Sequence, residues 1–410
     1  MAHNDYTDTE LVNVLKLLDK HKSHEVAAML EKAPSTVRSM KGAALARGLT
    51  VDSKPKESLI NENKILKAAL AEARRFTDSA ARIREEIYEL AAHTPSPPTW
   101  LTKPGKAGFR GTPFLMCSDW HFGEVVKPEE VGGVNEFNTE IAKARAKRLF
   151  ETTVDLAYNH MGRAKIEYPG IICALGGDML TGEIHPELAD TNDRKPFETL
   201  NDLEEVLIPG ITLLADKFGA VYVPCVVGNH GRNTLKKRTK TTVHTSYEWH
   251  LYVALEKHFR RVGDKRVTFD IPDETDVYFK SYGHRYLLTH GDNLGVKGGD
   301  GMIGAIGPIT RGSIKTGRSE AQIGRDFDTV VMGHWHQRLI GPNNSYIVNN
   351  SLKGYDEFAR LILRAPYTRP SQSLWFTHPE HGITAHWEVY LEGLRTANEN
   401  MKWLEVQRAG

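Results

Sequence analysis

Five short apolar runs in this 410-residue chain end in the same kind of cluster, and that repetition constrains the fold more than any other feature. FLMCSDWH places Asp119 and His121 after one run, and IICALGGD places Asp178 after the next. VYVPCVVGNH delivers Asn229 and His230, YLLTHGD delivers His290, and VVMGHWH delivers His334 and His336. Apolar runs of this length, punctuated by Gly, Asp and Asn, read as buried strands. Amphipathic helical segments lie between them up to about residue 365, which is an α/β pattern. In an α/β fold the carboxyl ends of neighbouring strands gather at one edge, where binding sites lie. Five strand ends would therefore bring carboxylates, an amide and several imidazoles into one pocket. The glycines before Asp178, Asn229 and His334 are expected to let the backbone turn sharply as it leaves the sheet.

Any one cluster could be coincidence, because histidine is common on surfaces. Taken together, carboxylate, amide oxygen and neutral imidazole suit divalent Mn, Fe or Zn, and no thiolate is placed to bias the choice. Cys117, Cys173 and Cys225 sit inside apolar runs and read as small buried hydrophobes, which fits a reducing cytoplasm. No apolar stretch approaches the length of a transmembrane helix, so no membrane partner is expected. MAHNDYTDTE lacks the basic and apolar regions of a signal peptide. With a net charge of +1, any surface for nucleic acid must be local.

The order DxH, GD, GNH, H, GHxH between Phe114 and Ser351 resembles the calcineurin-like metallophosphoesterase superfamily, whose members use two metal ions. The resemblance implies an α/β (α+β) four-layer β-sandwich flanked by helices, spanning residues 109–400. It implies that Asp119, His121 and His336 hold one ion, and that Asp178 bridges both. Asn229, His290 and His334 would complete the second site, and His230 would face the scissile phosphate without binding metal. On this basis Asp178, His121 and His230 are the expected catalytic residues, with two divalent ions as cofactors, Mn²⁺ before Fe²⁺ or Zn²⁺. One departure stands out: relatives commonly carry an acidic residue after GNH, and here Gly231 takes that place. Asp292, in HGD, is one candidate to orient His230 instead.

Three regions precede this domain. Residues 1–52 hold a helix, a second short helix and a third after a break at Ala33-Pro34, with Ser35 as its expected cap and Gly48 as its stop. This resembles a helix-turn-helix, which would leave Thr36, Arg38 and Lys41 available to DNA phosphates and base edges. A small helical bundle with another role is the alternative. Residues 56–92 carry a heptad seam through Leu66, Phe76, Ile83, Ile87 and Leu90. The seam either pairs two chains into a homodimer through residues 59–90 or packs back onto its own domain. HTPSPPTWLTKPGKAG, residues 93–108, reads as a Pro-rich linker.

Among phosphoesters, three local features favour DNA. Arg232, Lys236, Lys237, Arg238 and Lys240 follow Asn229 directly. A glycine-rich stretch, residues 295–318, carries Arg311, Lys315 and Arg318 and is expected to form a flexible basic loop beside the metals. The helix-turn-helix would supply the targeting. The combination also resembles phage-encoded proteins of the DNA repair exonuclease type, which implies the host cytoplasm. Two alternatives remain: a phosphatase or nucleotidase acting on small phosphoesters, and a DNA-binding regulatory or packaging protein with an inactive phosphoesterase domain. His185, in GEIHPELADTND, either contacts substrate or merely belongs to a structured loop beside the site.

Overall fold

The computed structural model describes residues 6–52, 64, 67–68, 111–160, 167–295 and 301–393. The chain divides into two compact units, Met1–His93 and Thr94–Gly410. Among the described residues, no helix is long and apolar enough to cross a membrane.

The first unit contains α1 (Asp8–Lys20), α2 (Ser23–Met29) and α3 (Pro34–Ala46). Thr7 and Glu10 cap α1 reciprocally, each satisfying a backbone N–H that the helix leaves unpaired. Leu11, Val14, Leu15, Val26, Ala27, Val37 and Met40 close a small core, with Leu18 and Leu30 half-buried at its rim. The expected Ser35 cap is corrected. The third helix starts two residues earlier than a Ser35 cap would set it, at Pro34, whose fixed φ and missing N–H suit a first helical position, and Ala33 caps it without a side-chain bond. Gly48 (φ 67°) ends it as expected, and Leu49 N–H donates to the Ala44 carbonyl at 3.0 Å. Within the 56–92 segment, residues 64, 67 and 68 are helical. The rest of that segment, its seam and the linker lie outside the described residues.

The second unit is built on two sheets. One contains β1 (Thr112–Cys117), β2 (Ile171–Leu175), β3 (Val221–Pro224), β4 (Val267–Asp270), β10 (Ser371–His378) and β11 (Gly382–Tyr390), in the order β11-β10-β1-β2-β3-β4. The other contains β5 (Asp276–Ser281), β6 (His284–Thr289), β7 (Thr329–Met332), β8 (Leu339–Ile340) and β9 (Tyr346–Val348), in the order β5-β6-β7-β9-β8. β1, β2, β3 and β4 run parallel, and so do β6, β7 and β9, which aligns their carboxyl ends.

Side-chain alternation explains why the sheets stack. Phe114, Met116, Ile172 and Ala174 of the first sheet share one core with Val277, Phe279, Tyr286, Leu288, Val331 and Ile347 of the second. Phe114 stacks on Trp375 at 4.1 Å between ring centres. Burying each large side chain contributes roughly 1.5–3 kcal/mol. The alternate residues Leu287, Val330, Met332 and Val348 face the other way and pack on Ala305 and Ile309 of a helix. Helices Thr139–Asn159 (α4) and Pro196–Phe218 (α6) cover the first sheet, with Pro186–Thr191 (α5) and Tyr247–Arg261 (α7) alongside in sequence. The result is helices, sheet, sheet, helix.

That outer helix, α8 (Gly301–Gln322), corrects the expectation of a flexible glycine-rich loop. Ala305, Pro308, Ile309, Gly312 and Ser313 recur at three- and four-residue spacing and are buried, with Ala305 and Ile309 packed against the second sheet. Tertiary packing of that stripe outweighs the poor helix propensity of glycine, roughly 1 kcal/mol per residue.

Candidate metal centre

Each expected ligand lies just beyond a strand, and the strands come from both sheets rather than from one edge. Asp119 and His121 follow β1, Asp178 follows β2, Asn229 and His230 follow β3, His290 follows β6, and His334 and His336 follow β7. Asp119 (φ 56°), His121 (φ 50°), Asp178 (φ 51°), His334 (φ 68°) and His336 (φ 50°) all adopt left-handed backbone conformations. Such strain costs about 1–3 kcal/mol per residue and persists where the surroundings over-determine it. Here cross-loop hydrogen bonds do so. Asp119 N–H donates to the Gly177 carbonyl and His121 N–H to the Asp178 carbonyl, each at 3.0 Å. His334 N–H donates to Asp119 Oδ1 at 2.8 Å, and His230 N–H to Asp178 Oδ1 at 2.7 Å.

The glycines serve two purposes, not the single one expected. Gly177 (φ 84°) turns the chain. Gly228 and Gly333 instead make room: a Cβ there would stand 2.1 Å from Asp178 Oδ1 and 2.2 Å from Asp119 Oδ2.

Two ligand groups result, Asp119–His121–His336 and Asp178–His290–His334, each with its donor atoms within 4.8 Å of one another. Asn229 Oδ1 is buried and accepts no hydrogen bond. A buried amide oxygen left this way is costly, and a cation beside the second group would satisfy it. The imidazoles are set up as ligands. His290 Nδ1–H donates to the Gly176 carbonyl at 2.9 Å, leaving Nε2 to face Asp178 Oδ2 at 3.0 Å. His121 and His336 present their Nε2 atoms to each other at 3.0 Å. Burial pushes His121 well below its usual range and His334 down to about 4, so both are neutral near pH 7. Burial would lower His290 too, but the adjacent Asp178 carboxylate outweighs it and holds His290 well above the usual range. Asp178 in turn stays well below the carboxylate range, because His290 and His230 overcome the effect of burial. A divalent cation can take over the charge pairing that this proton supplies.

Five residues that sequence reasoning did not single out brace the centre. Thr181 Oγ1–H donates to Glu124 Oε2 at 2.6 Å, so the Thr181 oxygen accepts from His121 Nδ1–H at 3.1 Å and directs His121 Nε2 to the site. Lys353 Nζ pairs with the other Glu124 oxygen at 2.7 Å and also with Asp356. Glu248, at the start of α7, accepts Met179 N–H and Gly228 N–H at 2.6 Å each. Burial, with Asp178 nearby, pushes its carboxyl up to about 8. Gly231 makes room for it, since a Cβ there would lie 2.6 Å from Glu248 Cγ.

The proposed Asp292–His230 contact is corrected: Asp292 pairs with Lys237 instead. His230 Nδ1–H donates to the Thr181 carbonyl at 3.0 Å, which orients the ring without a carboxylate, 4.7 Å from the His121 ring centre. Nε2 is left as the second ring nitrogen, and His230 lines a cavity of about 520 Å³ together with His121, Asp178, His334 and His336. Because His230 belongs to neither ligand group, His230→Ala should keep the bound metal yet slow phosphoester turnover about 10²-fold or more. Metal content by elemental analysis and kcat would check this; unchanged kcat would remove His230 from the chemistry.

The basic residues separate into engaged and exposed. Arg232 donates to the Asn229 carbonyl at 2.7 Å and so holds the ligand loop. Lys236, Arg238 and Lys240 are exposed, as are Arg311, Lys315 and Arg318 on the outer face of α8. None of these six lines the cavity, so α8 is not a loop over the metals. In the first unit Arg38 and Lys41 are exposed and Thr36 is half-buried. His185 lines the cavity as the residue preceding α5, with its ring centre 6.3 Å from that of His230.

No family model and no curated protein matches the chain. Among solved structures, a Vps29 single mutant from Entamoeba histolytica is 10% identical, with 68% of this chain and 99% of that one covered and a TM-score of 0.28. An archaeal phosphodiesterase is 10% identical, with 68% and 99% covered and a TM-score of 0.29. A dimetal phosphatase from Danio rerio is 9% identical, with 69% and 100% covered and a TM-score of 0.31. Overlaps this loose leave the functional reading to the side chains themselves.

Proposed function

We propose that the chain is a two-metal phosphodiesterase and that its substrate is DNA. The observation that carries the reading is the pair of groups Asp119–His121–His336 and Asp178–His290–His334, beside an Asn229 oxygen without a partner. The donors suit Mn²⁺, with Fe²⁺ or Zn²⁺ as alternatives. Two such ions would supply Lewis acidity and a water acidic enough to attack near neutral pH. The chain's own residues do the rest. Asp178 would be shared between the ions. His230 keeps its Nδ1 proton on the Thr181 carbonyl and offers Nε2 to the cavity. Once protonated there, it can stabilise charge on a phosphoryl oxygen or hand a proton to the leaving oxygen.

Exposed positive charge supports DNA as substrate: Lys236, Arg238 and Lys240 beyond the Asn229 loop, and Arg311, Lys315 and Arg318 along one stripe of α8. In the same reading α3 is the recognition helix of a helix-turn-helix, with Thr36, Arg38 and Lys41 toward DNA. A homodimer through residues 59–90 would present two such modules, and the protein would work in the cytoplasm, a host's if it is phage-encoded. The cavity of about 520 Å³ supports a second reading, a phosphatase or nucleotidase for small phosphoesters. A purely regulatory role is weakened because every ligand position is filled.

The test is to incubate the full chain and Mn²⁺ with circular single-stranded DNA, linear duplex, bis(p-nitrophenyl) phosphate and p-nitrophenyl phosphate. Cleavage of DNA and of the small diester is expected. Hydrolysis of the monoester alone would replace the nuclease with the phosphatase, and silence on all four with metal bound would leave the regulator.

A further inference from the structure

The cavity at the ligand groups has two kinds of lining: the histidines and Asp178, and an apolar set that includes Trp335, Tyr355, Phe358, Leu363 and Pro366. Part of the apolar lining is built on a π-helical turn, Phe358–Ile362, in which Leu363 N–H donates to the Phe358 carbonyl at 3.1 Å. Such turns are rare and recur at functional sites. This one is anchored on both sides. Asp356 accepts Ala359 N–H at 2.7 Å while it pairs with Lys353, and Arg360 donates to the Glu130 carbonyl at 3.0 Å. The turn is therefore tied to the same buried charges that brace His121. It holds Phe358 58% exposed, Leu361 55% and Ile362 64%, an apolar surface that packing of the fold does not use.

A phosphoester seated on the ligand groups would place its neighbouring group against this wall. Aromatic rings favour a flat partner. Gln337 also lines the cavity, is buried, and its Oε1 accepts no hydrogen bond. A base edge can offer that oxygen an N–H donor; an acyl chain cannot. We infer that the wall formed by Trp335, Tyr355 and Phe358 takes the base of an unpaired nucleotide whose phosphate lies on the ligand groups. A base within a duplex is stacked and paired and does not reach such a pocket, whereas a single strand or a frayed end presents it freely. This rests on the phosphodiesterase reading and names its substrate class: nucleic acid with unpaired bases.

The experiment uses the full chain with Mn²⁺ and three substrates of one sequence: a single strand, the same strand in a blunt duplex, and the single strand with an abasic site at the position cleaved. The single strand is expected to be cut about tenfold faster than the duplex, and the abasic site to slow cutting about tenfold, the scale of one lost base–aromatic stack. In Phe358→Ser, and independently in Tyr355→Ala, the intact-to-abasic ratio should fall toward one. An abasic strand cut as fast as the intact one, or a ratio unmoved in both variants, would overturn the inference. If no strand is cut, the phosphodiesterase reading fails, and binding then decides the wall separately. Quenching of a 2-aminopurine base in the single strand, lost in Phe358→Ser, supports it; absence of quenching by the unaltered protein overturns it.

Discussion

Asp178→Ala is expected to abolish phosphoester hydrolysis, by roughly 10³-fold or more in kcat/KM, the scale of several kcal/mol of lost charge stabilisation. Asp178 is the sole carboxylate of its ligand group, whose other members are His290 and His334. Its two oxygens are both committed, Oδ1 to His230 N–H at 2.7 Å and Oδ2 toward His290 Nε2 at 3.0 Å. Alanine leaves imidazoles and the Asn229 amide, with no anion to balance a divalent charge. Elemental analysis should find at most one ion per chain, against the two expected of the unaltered protein. Asp178→Asn separates the two roles, because it can keep the bond from His230 N–H while losing the charge. It should fold like the parent and still fail to hold the second ion. Two tightly held ions in Asp178→Ala, with turnover within tenfold of the parent, would remove Asp178 from the centre.

The ligands were legible because each lies within a few residues of its own strand. Apolar run and ligand are adjacent in sequence, so Asp119, Asp178, Asn229, His290 and His334 could be read without knowing which strands pair. The braces were not legible, because their roles exist only across the fold. Glu248 sits in the first turn of α7, where an acidic residue is ordinary for any helix, yet it binds the loops after β2 and β3. Thr181 and Lys353 look like loop residues and meet only through Glu124. Gly231 read as a missing acid, when its purpose is to leave space for an acid seventeen residues on, at Glu248. The helix α8 was hidden for the opposite reason: glycine count drew attention from a buried stripe at three- and four-residue spacing. Local chemistry was readable; coupling between distant loops was not.

Lys353→Met should show that coupling as stability. Lys353 is buried with only 4% of its side chain exposed, against 9% for Glu124 and 8% for Asp356, and it is the cation between them. Removing one partner of a buried ion pair costs about 3–5 kcal/mol, because the remaining charge is left unpaired in a poor solvent. For a unit this large the midpoint of thermal unfolding should fall on the order of 10 °C. The pH dependence carries the sign. Burial would raise the Asp356 carboxyl, but Lys353 outweighs it and holds it below its ordinary 3.8, so its contribution is present above that value and is lost as pH falls through the folded one. Burial would lower Lys353, but Asp356 and Glu124 raise it above its ordinary 10.5, so its share is present below that value and is lost only at higher pH. The pair thus stabilises the parent evenly from about pH 5 to 9. In the variant, burial acts on Asp356 without its cation, and its carboxyl rises, so protonation relieves the fold. The deficit relative to the parent should therefore be largest at pH 7 and shrink as pH falls toward 4. Adding Asp356→Asn to the variant should recover part of it at pH 7. Because the same lysine steadies Glu124, Thr181 and His121, the variant should also bind metal about 10- to 100-fold more weakly. A deficit under about 1 kcal/mol at pH 7, or one equal at pH 4.5 and 7, would mean that Lys353 is solvated rather than the keystone of a buried cluster.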